Sequence, residues 1–304
     1  MSEAVPFLSV IVPTFQRPDG LSRCLGALAA QELPRERFEV VVVDDGSAES
    51  PRAIVSRFTT SLDVRLIEQR NAGPAAARNA GAATARGAVL VFTDDACRPD
   101  PRWLCVIADA AARHPGCAIG GRVENALGDG LYSTASQLLI DFLYEYYNDG
   151  EASGRFFITS NLAFPTEQFR AIGGFDTSFP LAAAEDRDVC DRWREAGHSM
   201  VYADDAIVHH AHELRLGSFC RQHFNYGRGA YYLHRARSQR GEAPLRIEPL
   251  RFYTRLVTYP LRRSVAPQSF ALAALSALSQ GVYVSGYLRE RLRSRAPSSS
   301  SALA

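Results

Sequence analysis

Unbroken apolar runs, not alternating ones, mark the first third of the chain. "FLSVIVPTF", "FEVVVVDDGS", "DVRLIEQR" and "AVLVFTDD" each read as a strand buried on both faces. Between them the spacing becomes helical. "RPDGLSRCLGALAAQ" places Leu21, Leu25 and Leu28 on one stripe. "SPRAIVSRF" reads as a short helix with Ser50 as cap and Pro51 in its first turn. "GPAAARNAGAATARG" is an alanine-rich helix stopped by Gly87, and "PRWLCVIADAAARHPG" is a helix closed by proline and glycine. This alternation predicts an α/β fold whose parallel sheet is covered on both faces. Ligands of such sheets sit beyond the carboxyl ends of the strands. Those ends carry Thr14, Asp44 with Asp45, and Asp94 with Asp95.

From about Ala118 the texture changes. "AIGGRVEN" reads as a strand and "YSTASQLLIDFLYEYYNDG" as a helix crowded with Phe142, Tyr144, Tyr146 and Tyr147. Those rings read either as the floor of a groove or as core. "FFITSNLAFP" is a strand that turns polar, "EDRDVCDRWREAG" a helix that begins acidic, and "SMVYADDAIVHHAHE" a strand pair ending on histidines. Residues 214–240 form a basic, aromatic helical region, and no internal repeat is seen.

Composition narrows the class. Formal charge is +1, from 34 basic and 33 acidic residues, which argues against nucleic acid as a partner. The six cysteines lack CxxC spacing and read as small buried residues of a reducing compartment. With no basic-apolar leader at the N-terminus, the expected location is cytoplasmic. Ser264 to Leu288 carries no charge and lies between Arg262, Arg263 and Arg289. It reads as a span, a helix lying on a membrane or partner, or a helical hairpin. The tail "RAPSSSSALA" reads as disordered.

The turn after the first strand, "PTFQRPDG", is not GxGxxG, and no GxxxxGK[ST] loop occurs. Acidic strand ends are a poor seat for bare phosphate. A divalent cation between carboxylate and diphosphate makes them a good one.

Eight stretches now stand in order: "VIVPTFQRP", "VVVDDGS", "NAGPAAARNAGAATARG", "VLVFTDDACRPDPRWL", "TSNLAFP", "IGGFDTSF", "AEDRDVCDRWREAG" and "VYADDAIVHH". Over residues 8–212 the chain resembles the inverting, nucleotide-sugar-dependent glycosyltransferases of family 2. The resemblance implies a GT-A fold: a Rossmann-like, mostly parallel central sheet flanked by helices, with a C-terminal helical extension. It implies a glycosyltransferase domain over 1–212, with a nucleotide-binding half at 1–115 and an acceptor half at 116–212. A helical extension over 213–292 and a disordered tail over 293–304 follow.

The same resemblance implies roles. Pro13, Thr14, Phe15, Arg17, Asp44, Asp45, Arg78 and Asp94 are expected at the nucleotide sugar. Asp95, His209 and His210 are expected to hold Mg2+ or Mn2+. Asp186 is expected as the base that takes the acceptor's proton, with Glu185 positioning the acceptor, and Thr159, Ser160 and Asn161 are expected to contact it. Ala96 stands where many members have the last aspartate of Asp-x-Asp.

Each assignment has a plainer alternative. "DDGS" makes a turn and cap, Arg78 an ion pair, the histidines a structural cluster, and "AAEDRDV" a favourable helix N-terminus. The implied partners are a nucleoside diphosphate sugar, UDP first, and a glycan or lipid-linked acceptor, as in cell-envelope polysaccharide biosynthesis. Arg215, Arg221, Arg228, Arg235, Arg251, Arg255, Arg262 and Arg263 read as a solvated face or as a peripheral contact with the inner face of the membrane. A sugar nucleotidyltransferase and a non-catalytic nucleotide-sugar-binding protein are the competing readings.

Overall fold

The computed structural model describes residues 7–128, 130–148, 154–181, 183–211, 213–242, 248–263 and 268–294. In chain order the elements begin β1 (Leu8–Thr14), α1 (Pro18–Ala29), β2 (Phe38–Asp44), α2 (Arg52–Ser56), β3 (Val64–Glu68), α3 (Pro74–Thr84), β4 (Val89–Phe92), β5 (Cys97–Pro99) and α4 (Trp103–Arg113). There follow β6 (Ala118–Asn125), α5 (Leu131–Asn148), β7 (Leu162–Pro165), α6 (Thr166–Ala171), α7 (Glu185–Glu195) and β8 (Met200–His210). Three helices close the chain: α8 (Leu216–Gln239), α9 (Leu250–Arg263) and α10 (Ser269–Arg293). The chain divides into two compact units. One takes in residues up to 128, 143–180 and 186–213; the other takes in 129–142, 181–185 and 214 onward.

The first unit is built on an eight-stranded sheet ordered β3-β2-β1-β4-β7-β6-β8-β5. The four expected strands β1 to β4 pair in parallel. Their runs do not alternate because both faces are covered. Val10, Val12, Val40, Val42 and Val91 share a core with Leu21, Leu25 and Leu28 of α1 and Trp103 of α4. Ile11 and Val43 point the other way, onto α3. There a Cβ on Gly81 would lie 2.5 Å from the Ile11 side chain, so only glycine permits this approach.

Beyond β4 the sheet is mixed. β7 is antiparallel to both β4 and β6, and β8 is parallel to β6. The tract expected as a strand pair is one eleven-residue strand, β8. Short β5 has no sequence signature and pairs antiparallel with β8. Helix α3 ends at Thr84, before the expected stop at Gly87. Gly87 serves a close approach instead: a Cβ there would meet Ser9 Oγ at 2.7 Å.

Ser9 and Gly87 belong to a buried knot at the strand edge opposite the acidic ends. Glu39, fully buried, accepts from Ser9 Oγ at 2.6 Å, Arg86 N at 2.6 Å, Arg86 Nε at 2.9 Å and Arg65 Nη2 at 2.8 Å. Burial alone raises its pKa. The hydrogen bonds from Ser9 and Arg86 and the Arg65 charge outweigh burial and hold it below the ordinary carboxylate value.

In the second unit, α8 and α10 touch backbone to backbone. A Cβ on Gly227 would lie 1.8 Å from Tyr283 O, and one on Gly286 would lie 2.1 Å from Phe224 O. Glu290 of α10, buried, accepts from Arg228 Nε at 2.5 Å and Tyr232 Oη at 3.0 Å. Phe142 packs here against Phe252 and Tyr259, with centroids 5.2 and 5.5 Å away. Tyr144 is core in the first unit, where its hydroxyl accepts from Ile158 N at 3.0 Å. Among the described residues no helix is long and apolar enough to cross a membrane. Residues 264–267 of the uncharged segment and 295–304 of the tail lie outside the described residues.

Because Glu39 is held below its unfolded value, its stabilisation is present above the ordinary carboxylate range and is lost as pH falls through its folded value. Glu39→Gln is expected to cost about 3–5 kcal/mol near neutral pH, the scale for breaking a buried ion pair. The gap to wild type in urea unfolding should close on acidification. A pH-independent gap would show that charge is not what Glu39 contributes.

Candidate active site

Parallel pairing brings the acidic ends together. Thr14 of β1 stands opposite Asp44 of β2, and Asp94 and Asp95 follow β4 after Thr93. The two aspartates are used differently. Asp95 is buried at 5% exposure; its Oδ2 accepts from Thr14 Oγ1 at 2.8 Å and its Oδ1 from Arg17 Nη1 at 3.3 Å. Burial pushes its pKa up to about 6, against the Arg17 charge and the Thr14 hydrogen bond and with help from Asp94. Asp94 keeps 27% of its side chain exposed. It accepts from Arg78 Nη2 at 2.8 Å; Arg78 is itself buried, with its guanidinium 5.7 Å over the Phe175 ring.

A carboxylate oxygen of Asp94, Cys97 Sγ and a ring nitrogen of His210 lie within 4.8 Å of one another. Two backbone features build this cluster. Cys97 N donates to Asp94 O at 3.0 Å, and Cys97 pairs with His210 in the β5–β8 ladder. Burial lowers the His210 pKa, against the opposing charge of Asp94. A neutral imidazole beside a carboxylate is a donor set that fits a divalent cation. His209 pairs with Arg98, and its Nδ1 lies 3.7 Å from Glu124 Oε2. The structure therefore groups Asp94 and His210, where the sequence suggests Asp95 with both histidines. His212 lies outside the described residues.

Which histidine meets Asp94 depends on the register of β8. Gly121 of β6 pairs with Ala203, but Arg122 pairs with Ile207, so Asp204, Asp205 and Ala206 have no partner in β6. An odd excursion reverses the facing of everything after it relative to β6. Asn161 holds the excursion. Its Nδ2 donates to Arg122 O and Ala206 O, each at 2.8 Å, and its Oδ1 accepts from Trp103 Nε1 at 2.9 Å. A Cβ on Gly121 would lie 2.4 Å from both Ala206 O and Asn161 Nδ2. Asn161, expected at the acceptor, is thus turned inward with both N–H donors used. Thr159 and Ser160 precede it in a buried 3-10 turn.

Asp44 and Asp45 also bind their own loops. Asp44 accepts from Ser47 N and Ser47 Oγ. Asp45 accepts from Gln69 Nε2 at 2.8 Å, Ala72 N at 2.9 Å and Gly73 N at 2.8 Å, at the entry to α3. Beside them opens a cavity of about 660 Å³ lined by Asp44, Gly46, Ser47, Glu68 and Asn71.

The β1 loop runs past Pro13 to Phe15, exposed, and Arg17, whose side chain is 56% exposed. Gln16 between them has φ 57°, and Gln16 N donates to Ser47 Oγ at 2.8 Å. Among the described residues, the other non-glycine in the left-handed region is Ala184, with φ 71°, just before α7. Both strained residues adjoin candidate site residues, where such backbone commonly collects. Glu185 is buried and Asp186 half-buried. Asp186 Oδ1 accepts from Arg187 N at 2.8 Å. The Arg187 guanidinium lies 5.0 Å over Tyr147 and 5.2 Å over Phe156.

A parallel half ending in an acidic rim, continued by a mixed half that returns a histidine to that rim, is the arrangement of the GT-A fold. Residues 9–173 match the family Glycosyl transferase family 2, and the chain belongs to it. The chain is 29% identical over 232 residues to glycosyltransferase AglE of Haloferax volcanii, covering 75% of this chain and 74% of that one. It is 30% identical over 233 residues to validoxylamine A glucosyltransferase of Streptomyces hygroscopicus subsp. jinggangensis, covering 66% of this chain but only 54% of the relative. Among solved structures, the mannosyltransferase PcManGT from Pyrobaculum calidifontis, in complex with GDP-Man and Mn2+, shares the fold. Its TM-score is 0.62 at 19% identity, over 95% of this chain and 79% of that one.

Asn161→Ala removes the hydrogen bonds to Arg122 O, Ala206 O and Trp103 Nε1, the last two buried. It is expected to lower stability by about 3 kcal/mol or more, at roughly 1–3 kcal/mol for each orphaned group. Urea unfolding measures this. A loss under about 1 kcal/mol would mean that Asn161 does not hold the excursion.

Proposed function

We propose that this family 2 glycosyltransferase moves a sugar from a nucleoside diphosphate to an acceptor hydroxyl in a single displacement that inverts the anomeric carbon. A divalent cation, Mg2+ or Mn2+, is held by Asp94 and His210. The observation that carries this reading is the grouping of those two side chains at the rim where β1, β2 and β4 end. The Mn2+ and GDP-Man held by a protein of the same fold support it.

When bound, the cation supplies positive charge against the charge that grows on the departing diphosphate. The rest belongs to the chain. Arg78 orients Asp94, and Asp95 with Thr14 anchors Arg17, whose exposed guanidinium meets diphosphate oxygens. Asp44, Pro13 and the exposed Phe15 ring receive the nucleoside, while Asp45 shapes the loop beside it. Asp186, the more open of the paired carboxylates, takes the acceptor's proton as the acceptor oxygen bonds to the anomeric carbon. The bond from that carbon to the diphosphate oxygen breaks, and its electron pair leaves with the diphosphate. In this reading Glu185 positions the acceptor, and Thr159 and Ser160 contact it.

The acceptor in this reading is a glycan or a lipid-linked sugar. Exposed Phe270, Leu278, Val284, Leu288 and Leu292 on α10, with Arg289, Arg291 and Arg293 at its end, support a peripheral contact with anionic lipid.

Two experiments test these proposals. A panel of UDP, GDP and dTDP sugars with Mn2+ is scored by protection against thermal unfolding, since a bound donor stabilises by mass action. One donor should raise the midpoint. Asp94→Asn should lose the cation-dependent part of that rise, and Asp186→Asn should keep the rise while transfer falls roughly 10²–10⁴-fold. Wild-type turnover in Asp186→Asn would remove the base, and a panel without any protection would remove the donor reading. For α10, co-sedimentation with vesicles rich in phosphatidylserine should fall when Phe270 and Leu288 become serine. Equal binding by the variant would detach the lipid proposal from this helix.

A further inference from the structure

The reading of Asp94 and His210 as cation ligands leaves one donor of their cluster without a task. Cys97 is fully buried, and its Sγ lies within 4.8 Å of both partner atoms. Backbone geometry, not a chance rotamer, presents it there: Cys97 N donates to Asp94 O, and β5 pairs Cys97 with His210. Donors about 2.0–2.3 Å from one tetrahedral ion stand roughly 3.3–3.8 Å apart, so an ion would draw this cluster together by up to about 1.5 Å.

We infer that Cys97 completes a carboxylate–imidazole–thiolate site that selects thiophilic divalent cations, such as Co2+ and Zn2+, over Mg2+. The inference rests on the cation reading of Asp94 and His210 and revises its choice of ion, because a third, sulfur ligand disfavours Mg2+. Oxygen donors suit Mg2+, whereas sulfur favours softer ions. Three protein donors also leave a coordination position open, as catalytic sites do, and a diphosphate oxygen can take it. In the binding step the Cys97 S–H bond breaks, the sulfur–metal bond forms and the proton goes to solvent, with no change of oxidation state. The plainer account makes Cys97 a small core residue like Cys24 and Cys190, which are also buried. That account predicts no sulfur signature in any metal complex.

Cobalt distinguishes the two. Protein stripped of metal is titrated with Co2+, and near-ultraviolet absorption is recorded beside calorimetric binding, for wild type and Cys97→Ser. A sulfur-to-cobalt charge-transfer band is expected in wild type and absent in Cys97→Ser. The variant should still bind Co2+, but at least roughly tenfold more weakly, beyond the loss from removing an outer-shell partner, while its Mg2+ affinity is unchanged. A wild-type complex that binds Co2+ without the band sinks the role of Cys97 and leaves Asp94 and His210 standing. So does a band that survives in Cys97→Ser. Protein that binds neither Co2+ nor Mg2+ sinks the cation reading itself. The wild-type spectrum decides even if the serine variant fails to fold.

Discussion

The Asn161 amide is the point on which the acidic rim depends. It bonds Arg122 O and Ala206 O at once and is itself fixed by Trp103. These bonds stabilise three residues of β8 outside the ladder, and so set the side on which each later residue of the strand stands. His210 reaches Asp94 because of that offset. Glycine at 121 is the counterpart, since a Cβ there would occupy the space of the amide and of Ala206 O. The Asn161 contact thus bears on which of the two histidines stands near Asp94.

The acidic rim shows how neighbouring carboxylates are kept apart in role. Both Asp94 and Asp95 leave β4, but one turns inward to Thr14 and Arg17 while the other meets Arg78 and stays partly open. Burial favours the protonated form of Asp95, and Arg17 opposes it. The arginine is therefore tied to the loop by the carboxylate it stabilises, with most of its guanidinium left free for another anion.

Much of this was legible in the sequence. Runs such as Val40 to Val43 announce strands buried on both faces, and their aspartate endings announce where the site lies. The resemblance names Arg78 and Asp94 as nucleotide-sugar contacts, and the structure pairs them with each other. What could not be read depends on long-range register. β5 is three residues long, and nothing local distinguishes Cys97 from the other buried cysteines. The facing of His209 and His210 depends on an excursion that the sequence shows only as polar residues inside a strand. Asn161 lies between polar neighbours that suggest a sugar contact, and its inward turn follows from partners on three distant elements. The second unit was legible as helices, but the backbone contact at Gly227 and Gly286 required their pairing to be known.

Charge counting explains why such a rim calls for a cation. Asp94 and Asp95 are matched by Arg78 and Arg17, so these four groups sum to zero. Asp44 and Asp45 add negative charge, softened by the N–H groups they accept from. A diphosphate arriving alone would meet no net attraction and a carboxylate facing it. Its charge falls off slowly in a partly buried site, where the effective dielectric is well below that of water. By the same count a divalent ion at the proposed Asp94–His210 site would bring that excess negative charge to zero with the Asp–Arg pairs undisturbed. An arginine pair alone could attract the donor equally well, but only by giving up Asp94 and Asp95 to the anion's competition. Both Asp–Arg pairs are closed in the structure, and Asp94 keeps part of its side chain exposed near the His210 ring.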